Sequence, residues 1–570
     1  MNLFMIDGIG AFFREFHRRR INWSKIPFEN IEKNGRLDSR KVDLMLEDFS
    51  VFAAKASGMG FNAVTLDDVA HLALRAEYPA ALQSKIREYR EMYGRCFEVA
   101  YQEGLKPFIT TDVMYYFEGL PGFPGEHVSR VAPVLADACG QIFERFPGVA
   151  GIILRVGECD GNDVRGDFQS RLVLRTPGQA RRLIQALLPV FREHDKLLIF
   201  RTWTVGAYWI GDLMWNRGTF DRAFGGIRDE HLVISIKYGE SDFFRYLPLN
   251  KLFFRSGHRK MVELQARREY EGFGKYPSFI GWDYENYRRQ LERAQNVIGV
   301  TVWCQTGGWC SFRDRTFIED SSIWNEINTF VALKVFQEAL TPEQAVARFA
   351  ARYLPGADWG KLLILLRLSD EVVKDLLYID EFARRKIFFR RLRIPPLLSV
   401  FWDYVIVNHS MRKILRCFVR DGDDAIHRGY TALSKIHSMQ ALAADLGLDT
   451  EAFDFQYDTY EILAAAREYY FGVYRPQMAR RLKTMKRKYK ARYPQRYHVK
   501  LNFARFGVPG SRLRLLMGLL LRYQRGYRLI DRILMIGAVS FVSPLLRMTQ
   551  RRVMPDALRK QAMGIDAVMK

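Results

Sequence analysis

The stretch from residue 151 to residue 202 decides the fold: GIILRV (Gly151–Val156), then PGQARRLIQALLPVFREH (Pro177–His194), then KLLIFRT (Lys196–Thr202). The outer segments are short, unbroken apolar runs, and the middle one repeats apolar residues at three- and four-residue spacing. Strand, helix, strand, with both strands apolar throughout, implies parallel strands covered on both faces.

The same pattern extends in both directions. Further strand-like runs are Phe61–Leu66 (FNAVTL), Lys106–Thr110 (KPFIT), Leu232–Lys237 (LVISIK), Lys260–Gln265 (KMVELQ), Ser278–Trp282 (SFIGW) and Asn296–Trp303 (NVIGVTVW), and Ser39–Ser57 is helix-like. Eight units of this size predict an α/β protein, a closed (β/α)8 TIM barrel over residues 1–330 whose first strand begins near Phe61. An open doubly wound sheet would want a glycine-rich loop after that strand, and LDDVAHL has none. Beyond Ile323 the pattern turns helical, giving a predicted α-helical domain at 331–474. There Thr341 is placed to cap a helix that has Pro342 in its first turn.

The formal charge of +23 is unevenly spread. Residues 475–570 hold 24 Lys/Arg against three acids, which leaves about +2 for residues 1–474. A nearly neutral body speaks against nucleic acid as partner. The segment 475–570 reads instead as a basic amphipathic tail. Arg522, Arg525, Arg528 and Arg532 recur beside a leucine-rich face, and the uncharged run Ile533–Leu546 is too short for the roughly 20 residues that span a bilayer. That combination predicts a peripheral contact with an anionic membrane surface, the alternative being a helix packed on the protein with solvated arginines. The six cysteines form no CxxC pair, and the first residues carry acids and aromatics where a secretory signal needs an apolar run. A reducing cytoplasmic setting, at the inner face of the cell membrane, is therefore expected. The ten histidines show no HxxxH or HxH, so no metal or other cofactor is expected. Thr306–Trp309 (TGGW) lacks the rest of a phosphate loop.

In such a barrel the chemistry gathers at the carboxyl ends of the strands. There stand Glu158, Arg201, Trp203, Lys237, Asp242, Glu269, Glu271, Trp303 and Cys304, with Asp67, Asp68 and His71 on the same rim. Carboxylates, cations and tryptophans on one rim suit a carbohydrate. Aromatic faces stack on sugar rings while acid and base carboxylates flank the bond to be cut. Cys159 has no histidine near it in sequence and reads as a pocket-lining thiol rather than a nucleophile.

At these residues the sequence resembles the α-glucuronidases of glycoside hydrolase family 67. HLVISIKYGESDFFRYLPLNKLFFRSGHRKMVELQARREYEGFG (231–274) matches a family segment in which a strand ending in Lys leads, five residues on, to a catalytic Asp. A second catalytic acid follows in an E-F-Q-x-x-x-E-Y-x-G context. Here Lys237 to Asp242 keeps the five-residue spacing, and Glu263, Gln265, Glu269, Tyr270 and Gly272 fill the second context. GVAGIILRVGE resembles the strand ending in the catalytic acid, and FRTW the strand with a substrate-binding Arg. Leu154 takes the place of a family Lys, and alternation sends its neighbour Arg155 to the opposite face. The resemblance spans about Val42 to Phe336, without the family's β-rich N-terminal domain.

The resemblance implies an inverting hydrolase without a cofactor. Glu158 would protonate the leaving oxygen, and Asp242 with Glu269 would orient and deprotonate water. Arg201 and Lys237 would hold a uronic-acid carboxylate. From their place at the strand ends, and apart from the resemblance, Arg155, Trp203, Trp303 and Asp68 are further candidates for contacting the sugar. The alternative is a barrel that has lost hydrolysis and serves as a membrane-attached glycan-binding or assembly factor in polysaccharide production.

Overall fold

The structure, a computed structural model, describes residues 1–535 apart from 8, 9, 11, 15–29, 118, 157–166, 306–311, 313, 396–399, 505–509, 524 and 525. Its centre is a closed parallel barrel of eight strands. These are β1 (Leu3–Asp7), β2 (Ala63–Asp67), β3 (Lys106–Asp112), β4 (Gly151–Arg155), β5 (Leu197–Arg201), β6 (Leu232–Lys237), β7 (Arg259–Gln265) and β8 (Val297–Trp303). Helices α1 (Ser39–Met59), α2 (Ala80–Gln102), α3 (Val128–Arg145), α4 (Pro177–Glu193), α5 (Arg217–Phe224), α6 (Gly281–Leu291) and α7 (Ile323–Gln337) follow successive strands, except that only the short turn Leu252–Arg255 joins β6 to β7.

Two expectations need correction. Ser278–Trp282 is not a strand, because α6 begins at Gly281. The eighth strand is Leu3–Asp7, which pairs with β8 on one side and β2 on the other. A mostly apolar run of five residues fits a strand or the approach to a buried helix equally well, so periodicity does not separate them. At the seam between β1 and β8, a side chain on Gly299 would strike the Leu3 carbonyl.

Local chemistry sets the helix ends. The Asp38 carboxylate accepts from the Lys41 amide at 3.2 Å to start α1, which Gly60 ends at φ +111° with its amide returned to Ala56 and Ser57. Thr176 and Gln179 form a capping box ahead of Pro177.

The C-terminal region is helical, as expected, but it also carries strands. Its helices are α8 (Pro342–Tyr353), α9 (Trp359–Leu376), α10 (His409–Phe418), α11 (Gly422–Asp445), α12 (Glu451–Phe471), α13 (Pro476–Arg492), α14 (Gly510–Leu520) and α15 (Leu529–Met535). The strands are β9 (Lys386–Phe389), β10 (Leu392–Ile394), β11 (Val400–Phe401), β12 (Tyr404–Asn408), β13 (His498–Asn502) and β14 (Leu521–Arg522). Thr341 caps α8 as expected, forming a box with Gln344.

The segment expected to be a tail packs on the body over its described part. α13 buries Leu482, Met485 and Tyr489, while β13 and β14 complete sheets begun by β12 and β9. Tyr497 lies 4.8 Å from Phe312 of the barrel and 6.0 Å from Phe455 of α12, centre to centre. Among the described residues no helix is long and apolar enough to cross a membrane. Residues 536–570, with most of the run Ile533–Leu546, lie outside them.

Candidate active site

Strand alternation builds the barrel interior in layers. The lower layer is apolar: Leu3, Met5, Ala63, Phe108, Ile153, Ile199, Val233 and Met261 pack together. Toward the carboxyl ends the same inward positions become Asp7, Asp67, Asp112, Arg155, Arg201, Lys237, Glu263 and Trp303, all buried. An apolar floor thus carries a ring of four acids and three cations.

The ring divides into two ion clusters. On one side Arg155 donates to Asp67 at 3.0 Å and to Asp112 at 3.0 Å, tying together the ends of β2, β3 and β4. Burial pushes the Asp67 carboxyl well above the usual range; Arg155 opposes this, and Asp68, Asp7 and Asp112 add to it. Asp68 caps a short turn, its carboxylate 2.8 Å from Nδ1 of His71. Leu154, by contrast, points outward into the core beneath the helices.

On the other side Arg201 grips Glu263 with two nitrogens, at 3.1 and 2.9 Å, and its guanidinium lies 4.5 Å from the Trp303 ring. Burial alone would raise the Glu263 carboxyl, but Arg201, Lys237 and the Ser235 hydroxyl hold it below its ordinary value. The Lys237 ammonium donates to Asp242 at 2.5 Å, over the Trp203 ring at 3.9 Å. The second Asp242 oxygen accepts from the Tyr270 hydroxyl at 2.8 Å, and the Phe243 amide donates to the first. Glu269 is buried, and its amide donates to the Gln265 side-chain oxygen. Burial, reinforced by Asp242 and Glu269, keeps the Tyr270 hydroxyl protonated well above its usual range.

Of the residues singled out from the sequence, Arg201, Trp203, Lys237, Asp242, Glu269 and Trp303 thus gather on the β5–β8 side. Arg155 and Asp68 belong to the β2–β4 side. Glu158, Cys159 and Thr306–Trp309 fall outside the described residues. Glu271 is buried under Arg245, Arg268, Ser278 and Tyr378, so it serves structure. Burial and Asp7 raise the Cys304 thiol, which leaves it a poor nucleophile.

The sequence reading missed Asp7, Asp112 and Trp402. Asp112 was within reach, as the next inward position after Phe108 and Thr110. Asp7 went with the unrecognised first strand. Trp402 arrives from the turn between β11 and β12, its ring 6.5 Å from that of Tyr270, and nothing local announces it. Among the described residues no three His, Cys, Asp or Glu side chains stand as a metal-ligand group. A cavity of about 1000 Å3 opens elsewhere, among Lys275, Asp314, Trp324, Tyr353, Asp449 and Arg492. No residue of the charged ring lines it.

The protein is thus an α/β chain built on a (β/α)8 barrel. No protein-family profile matches it, and no curated protein matches its sequence. Among solved structures it is similar to a GH138 enzyme targeting pectin rhamnogalacturonan II, with 10% identity and a TM-score of 0.51. That likeness covers 86% of this chain and 62% of the other, so this chain spans less than two thirds of the enzyme it resembles. CpGH84B (12% identity, 78% of this chain and 71% of that one, TM-score 0.39) and PbGH5A, a glycoside hydrolase family 5 enzyme from Prevotella bryantii B14 (10%, 58% and 95%, 0.34), are more distant and carry no argument. At such identities the likeness shows the fold, a barrel shared with glycoside hydrolases and not family 67 in particular.

Proposed function

We propose that the protein is a glycoside hydrolase that inverts the anomeric centre of an acidic glycan. The observation that carries this is the Asp242 carboxylate held between the Lys237 ammonium and the Tyr270 hydroxyl, with Arg201 and two tryptophans at the same strand ends and Glu269 buried next to Tyr270 in the chain. Asp242 and Glu269 hold and deprotonate the attacking water, and Glu158 donates the proton to the leaving oxygen. Inverting sites keep acid and base roughly 6.5–9.5 Å apart so that water fits between them. Trp203 and Trp303 are buried with one face each against Lys237 and Arg201, so a sugar would stack on them only through the opposite face. A uronic-acid carboxylate would share Lys237 with Asp242 and Arg201 with Glu263, since each cation already has an internal partner. Pectin rhamnogalacturonan II, the target of the GH138 enzyme, is one acidic glycan to try.

A second reading is a glycan-binding or assembly factor without turnover. What favours it is that both Asp242 oxygens already accept hydrogen bonds, from Lys237 and from Tyr270, as a carboxylate with a structural role would.

One experiment separates the two: turnover of uronic-acid-capped oligosaccharides, with the product anomer followed by NMR, by the wild type, Glu158→Gln, Asp242→Asn and Glu269→Gln. The hydrolase reading expects the inverted sugar and a loss of about 100-fold or more in each variant. Wild-type rates in Asp242→Asn, or a retained anomer, would overturn it. Glycan binding without release would establish the second reading.

A further inference from the structure

α14 and α15, which both pack on β9, expose apolar side chains that a fully solvated helix face would lack. Leu515 is 71% exposed and Leu529 75%, with Tyr523 and Ile533 exposed beside them. Arg512, Arg514, Arg528 and Arg532 are exposed on the same two helices and their connection. Two acids nearby are turned inward. Asp531 is buried in a two-oxygen contact with Arg522, and Asp212 accepts from the Tyr527 hydroxyl at 2.6 Å. Exposed cations and exposed leucines carried by the same two helices match an anionic lipid surface.

This surface is continuous with the rim of the site. Tyr527 packs 4.9 Å from Trp215 in the loop after β5, whose indole donates to the Arg391 carbonyl at 3.2 Å. Arg391 in turn lies over Trp209, 4.2 Å from its ring, and Trp209 is 63% exposed on that loop. The loop begins where β5 delivers Arg201 and Trp203. The chain leaves the described region from α15, and its sequence then runs uncharged to Leu546 before Arg547, Arg551 and Arg552.

We propose that α14, α15 and the Trp209 loop together dock on an anionic bilayer, so that the barrel mouth works on glycans held at a membrane surface. The docking stands by itself; the choice of substrate rests on the hydrolase reading. An RNA would meet the arginines but leave Leu515, Leu529 and Ile533 in water, so the bilayer accounts for more of the surface.

The test is co-sedimentation of the full chain with vesicles of phosphatidylcholine alone or mixed with phosphatidylserine, without any glycan. The expected result is binding that needs phosphatidylserine and weakens with salt. Arg512→Gln, Arg514→Gln and Arg532→Gln should each cost about fivefold in affinity. Leu515→Ser with Leu529→Ser should abolish what remains at high salt. Unchanged melting curves would establish that these variants fold. Hydrogen exchange of the wild type should show vesicle protection within 512–533 and around Trp209. No sedimentation, equal binding to neutral vesicles, capture of RNA but not vesicles, or protection elsewhere would each overturn the proposal. Because no step depends on turnover, its failure is distinguishable from failure of the hydrolase reading.

Discussion

Two glutamates that close β7 and the loop after it do different work. Glu263 faces the ring and fixes Arg201 at the mouth, whereas Glu271 lies beneath the rim and fixes Arg245 and Arg268. Burial would raise the Glu271 carboxyl, but the two arginines and Ser278 pull it down to about 2. Its ordinary value in an unfolded chain is about 4.3. A depressed acid stabilises the fold fully above the unfolded value and loses that contribution as pH falls through the folded one. Stability should therefore drop by about 3 kcal/mol between pH ~5 and ~1 on account of this residue. Glu271→Gln should cost about 3–5 kcal/mol at neutral pH and flatten that acid limb, because two buried guanidiniums lose a partner. Urea denaturation across this pH range measures both effects.

At the scale of elements, closure of the barrel depends on one strand at the start of the chain. Without β1, the facing edges of β2 and β8 would expose unpaired backbone groups. The seam tolerates only a hydrogen at Gly299, since a Cβ there meets the Leu3 main chain rather than a flexible side chain. Gly299→Ala is expected to destabilise the barrel by about 1–3 kcal/mol and to speed hydrogen exchange in β1 before other strands. Uniform protection in all eight strands of the variant would sink that expectation. The β9–β10 hairpin plays a comparable part at the mouth. Arg393 donates to the buried Glu240 at 2.6 Å while its own carbonyl accepts from Ser241 at 2.7 Å, so the loop after β6 is held from above.

Over the whole molecule, barrel and C-terminal region share a single hydrophobic core. Tyr276 and Phe312 from barrel loops meet Phe455, Tyr460 and Tyr497 from the C-terminal region, with Tyr276 and Tyr460 5.5 Å apart. Truncation after Tyr474 would strip away Leu482, Tyr489, Tyr497, Val499 and Leu521, each buried. Each large apolar side chain contributes about 1.5–3 kcal/mol when buried. The truncated chain should therefore melt well below the full chain or aggregate. A detachable tail would leave the melting curve unchanged, and a thermal scan of the two proteins distinguishes these outcomes.

The sequence by itself determined the barrel, seven of whose strands are legible because strands buried on both faces must be apolar throughout. It also marked helix starts such as Thr176 and Thr341, where capping is a matter of three or four neighbouring residues. Lys237 and Asp242 could be placed on one rim, since both lie at the end of the same strand, but that the ammonium holds the carboxylate shows only in the structure. Only the tertiary structure decided the rest. Leu3–Asp7 becomes a strand because β2 and β8 are there to receive it, and SFIGW becomes the approach to a helix because that place is already filled. Arg201 and Glu263, far apart in the chain, meet because barrel closure sets β5, β6 and β7 side by side. Trp402 and the hairpin at the mouth arrive from the C-terminal region through contacts that no local pattern encodes, since packing between distant segments depends on shape rather than on periodicity.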